Sequence, residues 1–428
     1  MTENHTQPTY GSKVTRFLKH QAEQVRAGGW PIFTRKVFAL LKLLLLLPFA
    51  LPLVLIIRMI SPFFVIRFGL LASERIGHFA GNTEVYLCER DAGINTPWRP
   101  YVDIWYRAPF VCNIQLKKMW DRTLKHVVPF DISPLDRLIR WVPGGNVHGI
   151  LMPNQDRDVY GFMDNTPPHL CFTVDEERRG KDGLMAMGVP GGAPFVCLYA
   201  RDSAYLATTD PNKDWQYHDY RDSNIHNHVW AAEELTKRGY YVIRIGAVVA
   251  ENLNISNPKI IDYASNGQRT DFMDIYLGAK CCFFLGTPGG FFGVPVIFRR
   301  PCAMVNLVPL EYIISWISNG LTIPKKYWLC SDRRFMTFRE IFDSGAGRFL
   351  HTQKFKDMNI EIIENTPEEI AALAIEMDEK LRGIWRTNDE DEELQQQFWR
   401  IFPKSELHGE FRAKIGSEFL RQNKDLLY

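Results

Sequence analysis

No pair of cysteines in this chain stands at CxxC spacing. The eight cysteines, Cys88, Cys112, Cys171, Cys197, Cys281, Cys282, Cys302 and Cys330, are scattered, several of them in apolar, strand-like runs. That pattern speaks against a zinc site and for reduced core thiols of a cytosolic domain. Charge of one sign is missing too. The formal net charge is +2 over 428 residues, which carries no nucleic-acid signature. No internal repeat recurs at solenoid spacing. The long apolar stretch Leu43–Ile57 is shorter than the roughly 20 residues a spanning helix needs. What is present is an ordinary globular composition, 46% apolar and 23% charged, in a chain long enough for two or three domains with ample core.

The N-terminus departs from that average. Residues 1–36 are polar and basic, with Lys13, Arg16, Lys19, Arg26, Arg35 and Lys36. Val37–Ile57 is apolar apart from Lys42, a side chain able to snorkel. Pro48 and Pro52 predict a broken or kinked helix. Arg35 and Lys36 precede the stretch and Arg58 and Arg67 follow it, so the charge pattern does not favour a simple crossing. A kinked, re-entrant or in-plane anchor on a cytoplasmic leaflet fits these features, with the basic flanks on anionic lipid. A single-pass helix and a helix buried in a globular core are the alternatives. A cleaved signal peptide is disfavoured, because the apolar stretch starts too late and has no clear cleavage site.

Beyond it, strands and helices alternate. Phe64–Leu71 and Tyr101–Tyr106 read as strands, and Phe79–Cys88, Asn113–His126, Pro134–Val142 and Asp175–Met187 as helices. Residues 143–170 carry Gly144, Gly145, Pro153, Pro167 and Pro168 and read as loop. Pro190-Gly-Gly-Ala-Pro194 marks a domain border. A second series of strands follows at Phe195–Ala200, Tyr240–Ile245, Lys259–Tyr263, Cys281–Leu285 and Cys302–Leu307, with a helix at Asn227–Arg238 closed by Gly239. The alternation predicts two α/β lobes with parallel sheets. We divide the chain into a basic N-terminus and anchor (1–62), a first lobe (63–190), a second lobe (191–364) and a helical C-terminal segment (365–428) with Thr366 as N-cap.

The second lobe holds the chemistry. Asp271 opens a helix, Cys281–Leu285 forms a buried strand, and its carboxyl end runs into Thr287-Pro-Gly-Gly290 and a second helix start at Val294. Ligands of open α/β sheets sit at the carboxyl ends of strands, and a helix N-terminus there offers free N–H groups to a phosphate. The glycines Gly289 and Gly290 serve that ligand or only the turn. Arg201-Asp202-Ser203 ends the strand before it. Arg201 can clamp a diphosphate, with Asp202 orienting it and Ser203 donating, or it forms a surface salt bridge. Arg221-Asp222-Ser223 repeats the triplet ahead of a helix, as a second anion contact or as a cap. Arg244 lies inside a buried strand, which is costly without a partner or ligand, and Gly246 permits close backbone approach. Three strand ends, at Arg201, Arg244 and Thr287–Gly290, thus converge on one anionic ligand. In the first lobe, Glu74 and His78 follow the first strand. Either can serve as general base, since imidazoles titrate near neutrality, and a structural histidine is the alternative. His218, Asp219, His226 and His228 match no standard metal spacing.

Several of these segments together resemble a bacterial family of glycosyltransferases of surface carbohydrate synthesis. They are Val196-Cys-Leu-Tyr-Ala-Arg-Asp-Ser203, Tyr217-His-Asp-Tyr-Arg-Asp-Ser-Asn224, Gly239-Tyr-Tyr-Val-Ile-Arg-Ile-Gly246, Thr270-Asp-Phe-Met-Asp-Ile-Tyr-Leu-Gly-Ala279 and Arg75-Ile-Gly-His78. The resemblance spans about residues 64–345 and implies a GT-B-like fold of two Rossmann-like lobes. A more distant similarity is to GT-B fucosyltransferases, where a strand-end arginine binds the donor diphosphate; Arg201 stands at that place. The chain lacks their double-arginine form and has Thr287-Pro-Gly-Gly290 for a serine pair, which leaves the nucleotide open. The resemblance implies a nucleotide-sugar donor as co-substrate, with no resident cofactor. Its diphosphate would be held by Arg201, Arg244 and the N–H groups near Gly289 and Gly290 without metal. The acceptor would be a glycan or lipid-linked, His78 or Glu74 would take its proton, and Gly77, Arg221, Asp222 and Asp271 are secondary site candidates. The expected place is the cytoplasmic face of the inner membrane. A polysaccharide pyruvyltransferase and a non-catalytic membrane-tethered binding protein are the competing expectations.

Overall fold

Alternating apolar and mixed segments produce an alternating element order. The computed structural model describes residues 47–209, 211 and 214–428, with isolated positions between 29 and 41. The first half runs β1 (Val65–Leu71), α1 (Ile76–Asp91), β2 (Tyr101–Arg107), α2 (Ile114–Thr123), α3 (Ser133–Trp141) and α4 (Val174–Ala186). Next come β3 (Phe195–Tyr199), α5 (Val229–Lys237), β4 (Tyr241–Arg244), β5 (Ile260–Ile261), α6 (Asp271–Lys280), β6 (Phe284–Gly286), α7 (Gly293–Ile297) and β7 (Cys302–Leu307). The chain closes with β8 (Gly320–Pro324), β9 (Lys326–Leu329), β10 (Arg334–Phe335), β11 (Ile360–Ile363), α8 (Pro367–Leu381), α9 (Asp389–Ile401) and β12 (Lys414–Ile415).

Two compact units emerge. The smaller takes residues up to Gly69 with Pro97–Tyr106 and Phe130–Ile150. Its sheet is the pair β1 and β2. Arg67 is almost fully buried, and Asp103 accepts two bonds from it, at 2.7 and 3.0 Å. The bidentate pairing offsets the cost of burying that charge. Tyr106 and Arg140 both donate to Asp136, which ties α3 to β2. Residues 47–60 form one helix that runs through Pro52. No break occurs at Pro52, which forfeits only the bond to the carbonyl of residue 48. Of the expected anchor, residues 42–46 lie outside the described residues. No helix among the described residues is long and apolar enough to cross a membrane.

The larger unit is built on a seven-stranded sheet ordered β12-β8-β7-β6-β3-β4-β5, with every neighbouring pair parallel. From β3 the chain builds outward through β4 and β5, then returns to the other side of β3 for β6, β7 and β8. This is the doubly wound order, and its direction reverses between β3 and β6. Both strands are apolar runs because both faces are covered, and β7 is buried throughout. α5 packs on α8, while α7 packs on α1 and α6. Thr270 caps α6 through the Met273 N–H, and Thr366 and Glu369 form a reciprocal capping box on α8. Gly239, at φ 99°, follows α5 into β4.

The described residues hold one large parallel sheet, where the sequence predicts two. The stretch of residues 143–170, dense in glycine and proline, contributes a 3-10 turn at Gly145–His148 and a four-residue helix at Phe162–Asn165 but no strand. An antiparallel three-stranded sheet, β10-β9-β11, has no counterpart in the sequence reading.

Candidate active site

The strand reversal assembles the site. Thr287 N–H donates to the Tyr199 carbonyl at 3.0 Å, and the Arg201 N–H donates to Thr287 Oγ1 at 2.8 Å. The ends of β3 and β6 are thereby stitched together, and the expected neighbours Arg201 and Thr287–Gly290 do meet. The Arg201 guanidinium is nonetheless engaged. It pairs with Asp222 and lies 3.2 Å from His218 Nδ1. Burial pushes the Asp222 carboxyl up to about 6, against the pull of Arg201. Lys325 Nζ donates to the carbonyls of Tyr220 and Asp222, and burial pushes this lysine down to about 8.

Beside this knot lies a cavity of about 400 Å³, lined among others by Arg75, Gly77, His78, Asp156, Arg157, Arg221, Gly289 and Gly290. The segment from Leu307 to Trp316 and Leu350 also line it, and three further parts of its wall carry the charged and glycine positions. The first is the start of α1, a 16-residue helix that no side chain caps. Its first N–H groups lack intrahelical acceptors, as at every helix start. The second is the glycine turn after β6. A Cβ on Gly77 would stand 2.9 Å from the Gly290 carbonyl oxygen, and one on Gly293 would stand 3.1 Å from the Gly77 Cα. Only glycines let helix and turn approach this closely. The third is the segment Gln216–Arg221 with the loop at Asp156 and Arg157.

The cavity is electropositive. Arg221 donates to the Pro288 carbonyl at 3.3 Å, and Arg157 makes long contacts of 3.3 to 3.5 Å to the carbonyls of Tyr312, Ile313 and Leu407. Among the described residues no carboxylate stands within ion-pair distance of Arg75, Arg157 or Arg221. Burial lowers the pKa of Arg157 and of Arg221, and Arg201 adds like-charge repulsion on Arg221. Two partly buried guanidinium groups, Arg157 and Arg221, with the exposed Arg75 beside them, outnumber the single lining carboxylate and favour an anion. His78 Nδ1 lies 3.2 Å from Asn82 Oδ1. With Nδ1 donating to that oxygen, Nε2 carries the lone pair. Asp156 is the one carboxylate among the lining residues.

A second cavity of about 290 Å³ holds other expected residues: Asp202, Gly246 and Asp271 line it with Tyr199, Tyr205, Val248 and Phe291. Gly290 borders both cavities. Asp202 accepts from the N–H groups of Ala204 and Ala250, so it anchors loops, and Asp222 takes the place expected for it beside Arg201. Asp271 caps α2, accepting from the Ile114 N–H at 2.7 Å. Burial pushes Asp274 up to about 6, although Arg269 and Tyr263 bond to it.

Five expectations are corrected. Arg244 lines neither cavity. It is 2% exposed, and its guanidinium is used on the Glu251 carbonyl and on Asp262. Glu74 is exposed and lines neither cavity, and neither does the exposed Ser203. The helix start after the glycine turn is α7, only five residues long, and the longer helix whose start lines the cavity is α1. Asn224 caps the turn ahead of α5, the role expected of Asp222 or Ser223; Ser223 bonds Asn306.

The histidines at 218–228 go to separate partners: His226 to Glu251 and His228 to the Asn224 carbonyl. Elsewhere Glu84, Cys88 and His169 bring donor atoms within 4.8 Å of one another. Burial opposes charge on His169, but bonds to Cys88, Glu84 and Asp91 prevail and push it up to about 10. Arg299 joins Glu84 at 2.6 Å. In this structure these side chains pair with one another, His169 with Glu84 and Asp91 and Arg299 with Glu84.

Sequence reasoning missed Asp156, Arg157 and Asn82. The first two sit in the proline- and glycine-rich loop, where the charged run Asp156-Arg157-Asp158 was the available signal. Asn82 follows His78 at the i, i+4 spacing of one helix face.

No family model matches the chain, and neither does any curated protein. Among solved structures it is similar to the ADP-heptose LPS heptosyltransferase II of E. coli, at 12% identity over 60% of this chain and 90% of that one, with a TM-score of 0.39. It is also similar to a glycosyl transferase family 9 structure from Veillonella parvula DSM 2008, at 10% identity over 74% and 96%, with a TM-score of 0.43.

Proposed function

We propose that the chain is a glycosyltransferase that moves a sugar from a nucleotide-sugar donor to a hydroxyl acceptor. One observation carries this reading. At the strand reversal of a doubly wound sheet, Arg75, Arg157 and Arg221 line a single cavity with the glycine turn, the uncapped start of α1 and His78. In this reading the donor diphosphate lies against Arg221, the Gly289 and Gly290 backbone and the first turn of α1. Its bond to the sugar anomeric carbon breaks, and the electron pair leaves with the diphosphate. The acceptor oxygen bonds that carbon while its proton passes to His78 Nε2. Arg221, Arg157 and the peptide N–H groups stabilise the charge that develops on the leaving group. Arg201 acts from behind, holding Asp222 and so the course of the chain at Arg221. The second cavity extends the donor site beyond Gly290. We place the reaction at the cytoplasmic face of the inner membrane, on a glycan or lipid-linked acceptor.

The test is thermal melting of the full chain against a panel of nucleoside diphosphates, since a ligand that binds only the native state raises Tm. At least one should shift the melt, and Arg221→Ala should remove that shift while leaving the unliganded Tm unchanged or higher, because a buried, repelled charge is gone. A shift that persists undiminished in Arg221→Ala removes the site assignment.

A further inference from the structure

A helix without a polar face needs an apolar surrounding. Helix 47–60 buries Val54 and Ile57, which leaves the rest of its girth outside the core. Phe49, Met59 and Phe63 at its exit are each more than three-quarters exposed, and Leu55 is 63% exposed. Three bonds from two arginines fix what surrounds the end of the helix. Arg58 donates to the carbonyls of Pro143 and Gly144, and Arg99 donates to the Ser61 carbonyl at 2.6 Å. Arg99 also lies over the ring of Trp98, 4.7 Å from its centroid, and Trp98 is 87% exposed. All these residues belong to the smaller unit.

We infer that this surface of the smaller unit docks in the plane of an anionic lipid bilayer. The apolar side chains would enter the acyl boundary, with Trp98 and the arginines at headgroup level. The inference deepens the membrane placement proposed above and rests on it only for which membrane is meant. It stands whether or not sugar transfer does.

Three observations favour lipid over a second copy of the chain. The apolar sequence does not stop where the helix begins, since Val37–Leu47 continues it upstream with Lys42 as its one charge. An apolar sequence of that length suits a lipid surface. An exposed tryptophan stacked with arginine beside an apolar helix is the make-up of a membrane interface. Charge decides further. Within the described part of the smaller unit, Arg58, Arg67, Arg99, Arg137 and Arg140 face Asp103, Asp131 and Asp136. A two-fold pairing of this surface would bring two patches of the same net positive charge together. Phosphate headgroups supply the opposite charge.

The experiment is flotation of the full chain with phosphatidylcholine vesicles and with vesicles that also contain phosphatidylglycerol. The chain should float with the second kind in preference, and less so at high salt. Phe49→Ser/Met59→Ser/Phe63→Ser should lower the bound fraction by more than about tenfold, and Leu55→Glu by itself should lower it severalfold. Both variants should keep the wild-type response to nucleoside diphosphates, which separates failure of this surface from failure of the transferase site. Wild-type binding by both variants overturns the inference. So does a wild-type dimer that ignores vesicles and becomes monomeric in either variant.

Discussion

At the residue scale, His78 and Asn82 show how little is needed to set a tautomer. With Nδ1–H donating to the Asn82 amide oxygen at 3.2 Å, Nε2 keeps its lone pair and can accept a proton. His78→Gln should therefore lower kcat by roughly 10²- to 10⁴-fold, the usual range for a lost general base, with the donor KM unchanged. Asn82→Ala should lower kcat less, because it frees the ring without removing it. Steady-state rates with saturating donor test both, and a wild-type kcat in His78→Gln would transfer the base role to Asp156. The residue scale is also where the sequence misleads. A charge inside a strand implies a partner, but nothing in the chain order says which. For Arg244 the partners are Asp262 and the Glu251 carbonyl, brought in by a loop. Arg221 was legible because its triplet repeats the one at Arg201. Asp156 was not, since glycine and proline erase the periodicity on which such reading depends.

At the element scale, the close approach of α1 to the glycine turn holds the larger unit's site together. Gly77→Ala would place a methyl group 2.9 Å from a backbone oxygen, and backbone cannot swing aside as a side chain can. The cost should be about 1–3 kcal/mol, as for an overpacked core, read as an earlier urea midpoint with unchanged slope. Diphosphate binding should weaken along with it, because the same shift moves both walls. Gly191→Ala, where no atom lies within 4 Å, should leave the midpoint in place. Elements with long apolar runs were readable: β3, β4, β7 and α1 fall within a few residues of expectation. Those that fail the reading are short. β10 and β12 have two residues each, below any period that a pattern can reveal, whereas the equally short β5 falls inside the strand expected at Lys259–Tyr263. β8 ends on Pro324, and β6 starts late because Cys281 still closes α6.

At the scale of the whole molecule, stability should depend on pH through two buried acids. Asp222 and Asp274 are each pushed up by burial to about 6 from an ordinary 3.8. The folded state then binds more protons than the unfolded one between those values. Stability is fully present at the acid end of that window and falls as pH rises through about 6. Asp274→Asn should flatten part of the decline while keeping a group that Tyr263 can bond. Urea melts at intervals from pH 4 to 7 measure it, and an equally steep fall in the variant would clear Asp274 of the effect. Lys325 works the other way, since a lysine pushed down to about 8 gains stability for the fold as pH climbs beyond that point.

One residue without a side chain sets the shape of what can be accommodated. Gly290 borders the larger chamber on one side and the smaller on the other, so the partition there is bare main chain. An occupant of one chamber ends within touching distance of an occupant of the other. A long molecule with a narrow, negatively charged waist over Gly290 would be the shape to reach both. A round one leaves half the room to water.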